Sequence, residues 1–231
     1  MRLIARLDIK NDHVIKGIHL EGLRKVGNPK ELALKYTEPR ADELLIMDAV
    51  ASLYGRNSLF PIISEVCEKV FIPVTVGGGI RTIKDIRVAL NSGADKVAIN
   101  TGAVQNPDFI REAADRFGSQ AIVGSIESKK GQAFIHTGRD PTGLDAAEWA
   151  HKLVDLGVGE LLVTSIDREG TKKGFDIELM EEINKLPVPV VASGGCGSPE
   201  HIKKLPRGVS IAVASVLHYN LFGIEELREA C

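Results

Sequence analysis

Cysteine is scarce in this chain, three in 231 residues. Cys67, Cys196 and Cys231 are odd in number, widely spaced and without a CxxC pair. Neither a disulfide framework nor a zinc site is expected, and the compartment reads as reducing. Aromatics make up only 5%, which leaves branched aliphatics and alanine to fill a core. No charge sign dominates: 29 basic residues against 31 acidic ones give a net charge of −2. The basic excess that a nucleic-acid partner requires is therefore missing. No apolar run approaches the ~20 residues of a membrane span, and Met1–Asp8 is too short and too soon charged for a signal peptide. His13, His19, His136, His151, His201 and His218 show no metal-ligand spacing. The expectation is a cytoplasmic protein with no metal, no cofactor, no nucleic-acid partner and no membrane partner.

What is present is rhythm. Short apolar runs at Leu3–Ile9, Glu43–Asp48, Pro73–Val76, Lys96–Ile99, Ala121–Glu127, Glu160–Ser165, Pro189–Ala192 and Ser210–Val213 read as buried strands. Helix punctuation falls between them. Asn28-Pro29 and Asn106-Pro107 read as N-terminal caps, and Thr82 with Asp85 as a capping box closed by Gly93. Gly118 and Gly157 read as stops, the second for a helix over Asp145–Leu156. Leu59–Val70, Asp176–Lys185, a short helix opened by Ser198-Pro199, and Ile224–Ala230 complete the set. Eight strands alternating with eight helices imply an α/β fold with a parallel sheet. At this length a closed (β/α)8 barrel, a TIM barrel occupying residues 1–231 as one domain, is expected. The longest irregular stretches, His19–Gly27, Val50–Ser58 and Lys129–Gly143, all follow strands, on the face where such barrels carry their sites.

The two halves repeat. Ala5–Lys10 aligns with Gly124–Lys129 at an offset of 119 residues, and Asp42–Asp48 with Gly159–Ser165 at 117. Ile72–Gly79 aligns with Val188–Gly195 at 116, and Asn100 with Ser215 at 115. The barrel is therefore read as two (βα)4 halves about a pseudo-twofold axis, so a site made by one half recurs across the mouth.

Two glycine loops satisfy that expectation. Gly77-Gly78-Gly79, with Asn100 and Thr101 after the next strand, lets backbone N–H groups approach an anion. Ser193-Gly194-Gly195, with Ser215, repeats the arrangement, and Gly170 adds donors to it. Tight βα turns are the plainer alternative for one such loop, whereas a matched pair points to a substrate with two phosphates. Asp8 ends the first strand and Glu127 the fifth, so two carboxylates face each other as a candidate acid/base pair. A structural acceptor at Asp8, or a rim charge at Glu127 paired to Lys129 or Arg139, is the competing reading. Asp48, Asp167 and Glu169 also lie at strand ends. Asp48 and Glu169 are read as orienting substrate. Lys16, on the loop after the first strand, is read either as reaching a substrate phosphate or as a solvated surface lysine.

These residues resemble the cyclase subunit of imidazole glycerol phosphate synthase, an enzyme of histidine biosynthesis. The resemblance covers almost the whole chain and rests on LDIKNDHVIKG (Leu7–Gly17), VTVGGGIRT (Val74–Thr82), GADKVAINTGAV (Gly93–Val104), FGSQAIV (Phe117–Val123), TSIDREGTKKGFD (Thr164–Asp176) and ASGGCG (Ala192–Gly197). The related isomerase of that pathway shares the half-barrel repeat but not the segments Gly93–Val104 and Thr164–Asp176. The resemblance implies a lyase that takes ammonia from a glutaminase partner docked on the N-terminal barrel face. Ammonia attacks the carbonyl of a bisphosphorylated ribulosyl-aminoimidazole carboxamide ribotide, and ring closure and cleavage release imidazole glycerol phosphate and aminoimidazole carboxamide ribotide. It also implies catalytic roles for Asp8 and Glu127, an ammonia gate of Arg2, Glu43, Lys96 and Glu160, and a glutaminase-facing Asp95.

The chain departs from that family in several places. Glu127 stands where the family carries Asp, Glu169 also replaces an Asp, and Ala5-Arg6 replaces Pro-Cys. The segment Glu200–Gly208 is shortened, and the sequence stops at Cys231, short of the family's longer tail. One added methylene shifts a carboxylate by about 1 Å, a displacement that costs on the order of 10²-fold in rate. Two further readings therefore stay open: a paralogue passing ammonia to another acceptor, as in sugar amidination, and a non-catalytic scaffold that docks a glutaminase.

Overall fold

The computed structural model describes residues 1–38, 41–51 and 59–231. Eight strands run parallel and close on themselves: β1 (Leu3–Lys10), β4 (Glu43–Asp48), β5 (Val74–Gly77), β6 (Lys96–Ile99), β7 (Ile122–Lys129), β10 (Glu160–Ser165), β11 (Val190–Ser193) and β12 (Ser210–Val213). The ring closes where β12 pairs with β1 and β7 with β10. This is the expected (β/α)8 barrel. Strand residues alternate between two environments. Ile4, Leu45, Ala98, Val123, Leu162, Val191 and Ala212 point inward and form an apolar girdle across the lumen. Their neighbours, such as Leu3, Leu44, Val97, Ile122 and Leu161, point outward beneath the helices.

Helices surround the ring: α1 (Pro29–Thr37), α2 (Phe60–Cys67), α3 (Ile83–Asn91), α4 (Thr101–Gln105), α5 (Asp108–Phe117), α6 (Ala146–Asp155), α7 (Ile177–Ile183), α8 (Pro199–Ile202), α9 (Ser215–His218) and α10 (Ile224–Arg228). Local chemistry fixes several starts. The Asn28 side chain accepts from Lys30 N at 2.9 Å, Thr82 and Asp85 form the reciprocal capping box, and Asp145 accepts from Ala147 N and Glu148 N. Three expectations need correction. Asn106 makes no side-chain cap, and Pro107 occupies the N-cap position of α5. The helix read over Leu59–Val70 ends at Cys67, because Glu68–Val70 are already turning toward β5. The short helices α4 and α9, absent from the sequence reading, follow β6 and β12 at mirrored positions.

Two stretches read as irregular are β-hairpins. β2 (His13–Ile18) and β3 (Glu21–Gly27) fold back on β1, and β8 (Gln132–Ile135) and β9 (Asp140–Asp145) fold back on β7. Their register obeys the repeat. Asp8, Ile9 and Lys10 pair with Ile15, Val14 and His13, while Glu127, Ser128 and Lys129 pair with Phe134, Ala133 and Gln132. Both turns enter the left-handed region at a histidine: His19 and Leu20 have φ 53° and 63°, His136 and Thr137 φ 53° and 59°. Of the third stretch, Val50–Ser58, residues 52–58 lie outside the described residues.

Candidate active site

Alternation on β1 places Ile4, Arg6 and Asp8 on the luminal face, so Asp8 emerges at the mouth with Arg6 one layer below. On β7 the same spacing lifts Glu127 above Ser125 and Val123. Both carboxylates line one cavity with Arg6, Lys16, Met47, Thr137 and Glu169. The rim reading of Glu127 is not borne out. It is buried, and its Oε2 accepts from Gly138 N at 2.8 Å.

The two carboxylates sit in different fields. Burial would raise Asp8, but the Arg6 and Lys16 charges and the Arg6 hydrogen bond hold it below the ordinary aspartate value. The Arg6 Nε donates to Asp8 Oδ1 at 2.9 Å, and its Nη1 donates to Thr164 Oγ1 at 2.9 Å and Ser193 Oγ at 3.0 Å. Glu127 is pushed up to about 7, mainly by burial, with Arg6 and the Gly138 hydrogen bond opposing and Asp8 adding. A carboxyl near neutrality is suited to proton transfer.

On one side of the mouth, Gly78, Gly79, Asn100 and Thr101 line a pocket with Arg81 and Ser125. On the other side, Gly170, Gly194, Gly195 and Ser215 line a pocket with Arg6, Lys16 and Cys196. Gly78 and Gly194, matched by the repeat, are each fixed by two constraints. Gly78 has φ 94°, and a Cβ there would stand 2.4 Å from the Asp48 carbonyl oxygen. Gly194 has φ 90°, and its Cβ would stand 2.7 Å from the Ser165 carbonyl oxygen. Asp48 and Ser165 are themselves repeat partners, so the close approach recurs in both halves. Both cradles thus have the residue types and side-chain-free backbone that suit an anion.

The hairpins close over these loops. The Asn100 amide donates to the Phe134 carbonyl at 3.1 Å, His136 N donates to Thr101 Oγ1 at 3.2 Å, and Thr137 Oγ1 donates to the Ala49 carbonyl at 3.1 Å. Opposite, His19 N donates to the Glu169 carbonyl at 3.0 Å, and Lys16 forms an ion pair with Glu169. Lys16 is therefore neither loop-borne nor solvated. It lies on β2, 3% exposed, and Glu169 holds it beside the second cradle. The Asp48 Oδ1 accepts from Val50 N and Ala51 N at 3.0 and 2.9 Å, an orienting role toward its own loop. Asp167 lies farther out, accepting from Lys130 N at 2.7 Å.

At the opposite end of the lumen, Arg2, Glu43, Lys96 and Glu160 form a closed ring. Arg2 pairs with Glu43 at 2.7 Å and with Glu160, while Lys96 pairs with Glu43 at 2.8 Å and with Glu160 at 2.7 Å. Asp95 is exposed beside the ring, its Oδ2 accepting from Val74 N at 2.8 Å. The sequence does not single out Thr137, Gly138, Ser125 or Thr164 as site residues, and it marks Ser193 only as the opening of the second glycine loop and Arg6 only as a family departure. For Arg6 the signal was there, since period two on β1 aligns it with Asp8. For Gly138 no sequence signal exists, because the turn that carries it to Glu127 depends on the hairpin.

Residues 2–223 match the family model described as histidine biosynthesis protein. The chain is also similar to a Legionella pneumophila protein described as imidazole glycerol phosphate synthase subunit HisF. The two are 54% identical over 206 residues, which covers 87% of this chain and 97% of that relative.

Proposed function

The chain belongs to the histidine biosynthesis family, as a relative of the cyclase subunit of imidazole glycerol phosphate synthase, and from that premise we propose how its residues perform the cyclase reaction. It is an enzyme of the lyase class, and the relationship favours the cyclase over a paralogue with another acceptor or an inert scaffold. The substrate is the bisphosphorylated ribulosyl-aminoimidazole carboxamide ribotide, one phosphate in the Gly78-Gly79 cradle with Asn100 and Thr101, the other in the Gly194-Gly195 cradle with Gly170 and Ser215. That span sets the ribulosyl carbonyl between Asp8 and Glu127, which handle the proton transfers as ammonia adds, water leaves and the ring closes. Lys16, held by Glu169, supplies positive charge beside the second cradle, and Asp48 orients the first.

Ammonia arrives along the barrel axis through the ring of Arg2, Glu43, Lys96 and Glu160, delivered by a glutaminase partner seated on that face near Asp95. Phe71, immediately before β5 on the same face and 92% exposed, fits a surface that a partner covers. The observation that carries the reading is the matched pair of glycine cradles with both carboxylates between them.

The test follows substrate absorbance with ammonium salt and no partner, for wild type, Asp8→Asn and Glu127→Asp. Turnover by wild type that Asp8→Asn abolishes supports the reading. Failure of wild type both to bind and to turn over the substrate overturns it.

A further inference from the structure

The mouth of this barrel is nearly symmetric, and Arg6 breaks the symmetry. The register that carries Asp8 onto Glu127 carries Arg6 onto Ser125 and Lys16 onto Ile135. Two buried cations therefore stand on the Asp8 side, while their counterparts beside Glu127 are a hydroxyl and a hydrocarbon. The Arg6 guanidinium is fixed from three strands: Asp8 on β1, Thr164 on β10 and Ser193 on β11, each within 3.0 Å. Among the described residues, no side-chain cation forms an ion pair with Glu127.

We propose that Arg6 is the positioning residue that sorts the two carboxylates, pinning Asp8 as the standing anion and leaving Glu127 to carry the exchangeable proton. The chemistry rests on the cyclase reading, but the geometry does not. Ammonia adds to the ribulosyl carbonyl, and a proton shift from nitrogen to oxygen gives a carbinolamine. Neutral Glu127 protonates that hydroxyl, which leaves as water as the C=N bond forms, and the protonated imine returns its nitrogen-bound proton to Glu127. Asp8, still charged, stabilises the cationic intermediate throughout. Carbonyl and ammonia become imine and water, and Glu127 ends as it began.

The neighbouring charges agree. Asp8 is faced by Arg6 on its own strand, Lys16 on β2 and His218 on α9. Burial pulls His218 down to about 4, so it adds no charge at neutrality. Lys16, brought down to about 8 by burial, stays largely protonated there and also serves Glu169. Glu127 is faced by Arg6, Asp8 and His136 of the β8–β9 turn, and burial, to which Asp8 adds, outweighs Arg6 and His136. Asp48, at the end of β4, lines the same cavity but directs its Oδ1 to Val50 and Ala51.

The test is a carboxyl carbon NMR titration of the intact protein, with signals assigned by Asp8→Asn and Glu127→Gln, on wild type, Arg6→Met and Arg6→Lys. It needs no substrate, so its outcome is separate from that of the cyclase assay. In wild type, Glu127 is expected to titrate near 7 with Asp8 still ionised well below that. Arg6→Met moves the Asp8 midpoint upward, and at fixed free ammonia the acidic limb of the kcat profile moves toward neutrality with it. Arg6→Lys, keeping a cation, restores most of both. An Asp8 midpoint unmoved in Arg6→Met overturns the proposal. So does a wild type in which Asp8 takes up its proton at higher pH than Glu127, a result that stands even if Arg6→Met fails to fold.

Discussion

Gly78→Ala isolates a constraint that belongs to the cradle rather than to glycine in general. Gly131 is a matched control: its φ is 78° and a Cβ there meets nothing within 4 Å, whereas at Gly78, with φ 94°, the Cβ meets the Asp48 carbonyl at 2.4 Å. Alanine at positive φ costs about 1–2 kcal/mol, so Gly131→Ala loses roughly that much. At Gly78 the overlap adds about 1–3 kcal/mol, as in overpacking, for a total of roughly 2–5 kcal/mol. At about 2–4 °C per kcal/mol for a chain of this size, Gly131→Ala melts ~2–8 °C early and Gly78→Ala ~4–20 °C early. Gly194→Ala, with the milder 2.7 Å approach, falls between them. Calorimetric melting orders the three variants. Substrate titration should show a higher KM for Gly78→Ala and Gly194→Ala only, since Gly131 lines neither cradle. A Gly78→Ala protein that melts no lower than Gly131→Ala would refute the reasoning.

Glu127 carries a pH signature. Its folded pKa of about 7 lies above the ordinary glutamate value, so the folded state binds more protons between those limits and stability falls as pH rises through them. Glu127→Gln removes that slope and is expected to be more stable than wild type above pH 7, by about 3 kcal/mol at most; urea midpoints at pH 5 and pH 8 read it, and equal slopes contradict it. In the ring at the N-terminal face, Lys96→Met leaves Glu43 and Glu160 with Arg2 as their one ion-pair partner, at a cost of ~3 kcal/mol, the low end for a broken buried pair. With a glutaminase bound, glutamine-fed turnover should fall relative to ammonium-fed turnover; an unchanged ratio would remove the ring from the ammonia path.

The parts of this fold that were legible are those where one physical demand sets the sequence. β4, β6, β10 and β12 have the bounds their apolar runs imply, because strands buried on both faces admit almost nothing else. The cradles were legible through the repeat, which turned single weak signals into a pair, whereas the ring of Arg2, Glu43, Lys96 and Glu160 was legible only through the family resemblance. The hairpins were not. β3, Glu21–Gly27, is exposed along most of its length, so it has no apolar alternation to betray it. Its turn uses His19 and Leu20 in left-handed geometry, where Asn-Gly would be the readable signal. The choice between the two readings of Lys16 stays hidden for the same reason: without the hairpin its burial against Glu169 is invisible.

The girdle of Ile4, Leu45, Ala98, Val123, Leu162, Val191 and Ala212 has its own consequence. It is a dielectric barrier between two charged layers, the ring below and Arg6 above. An ammonium ion crossing it would shed its hydration for hydrocarbon, at an effective cost of several kcal/mol, and would then meet a guanidinium of the same sign. Neutral ammonia meets neither obstacle. On the proposed ammonia route the lumen would therefore discriminate by charge, in favour of the species with a lone pair free to attack.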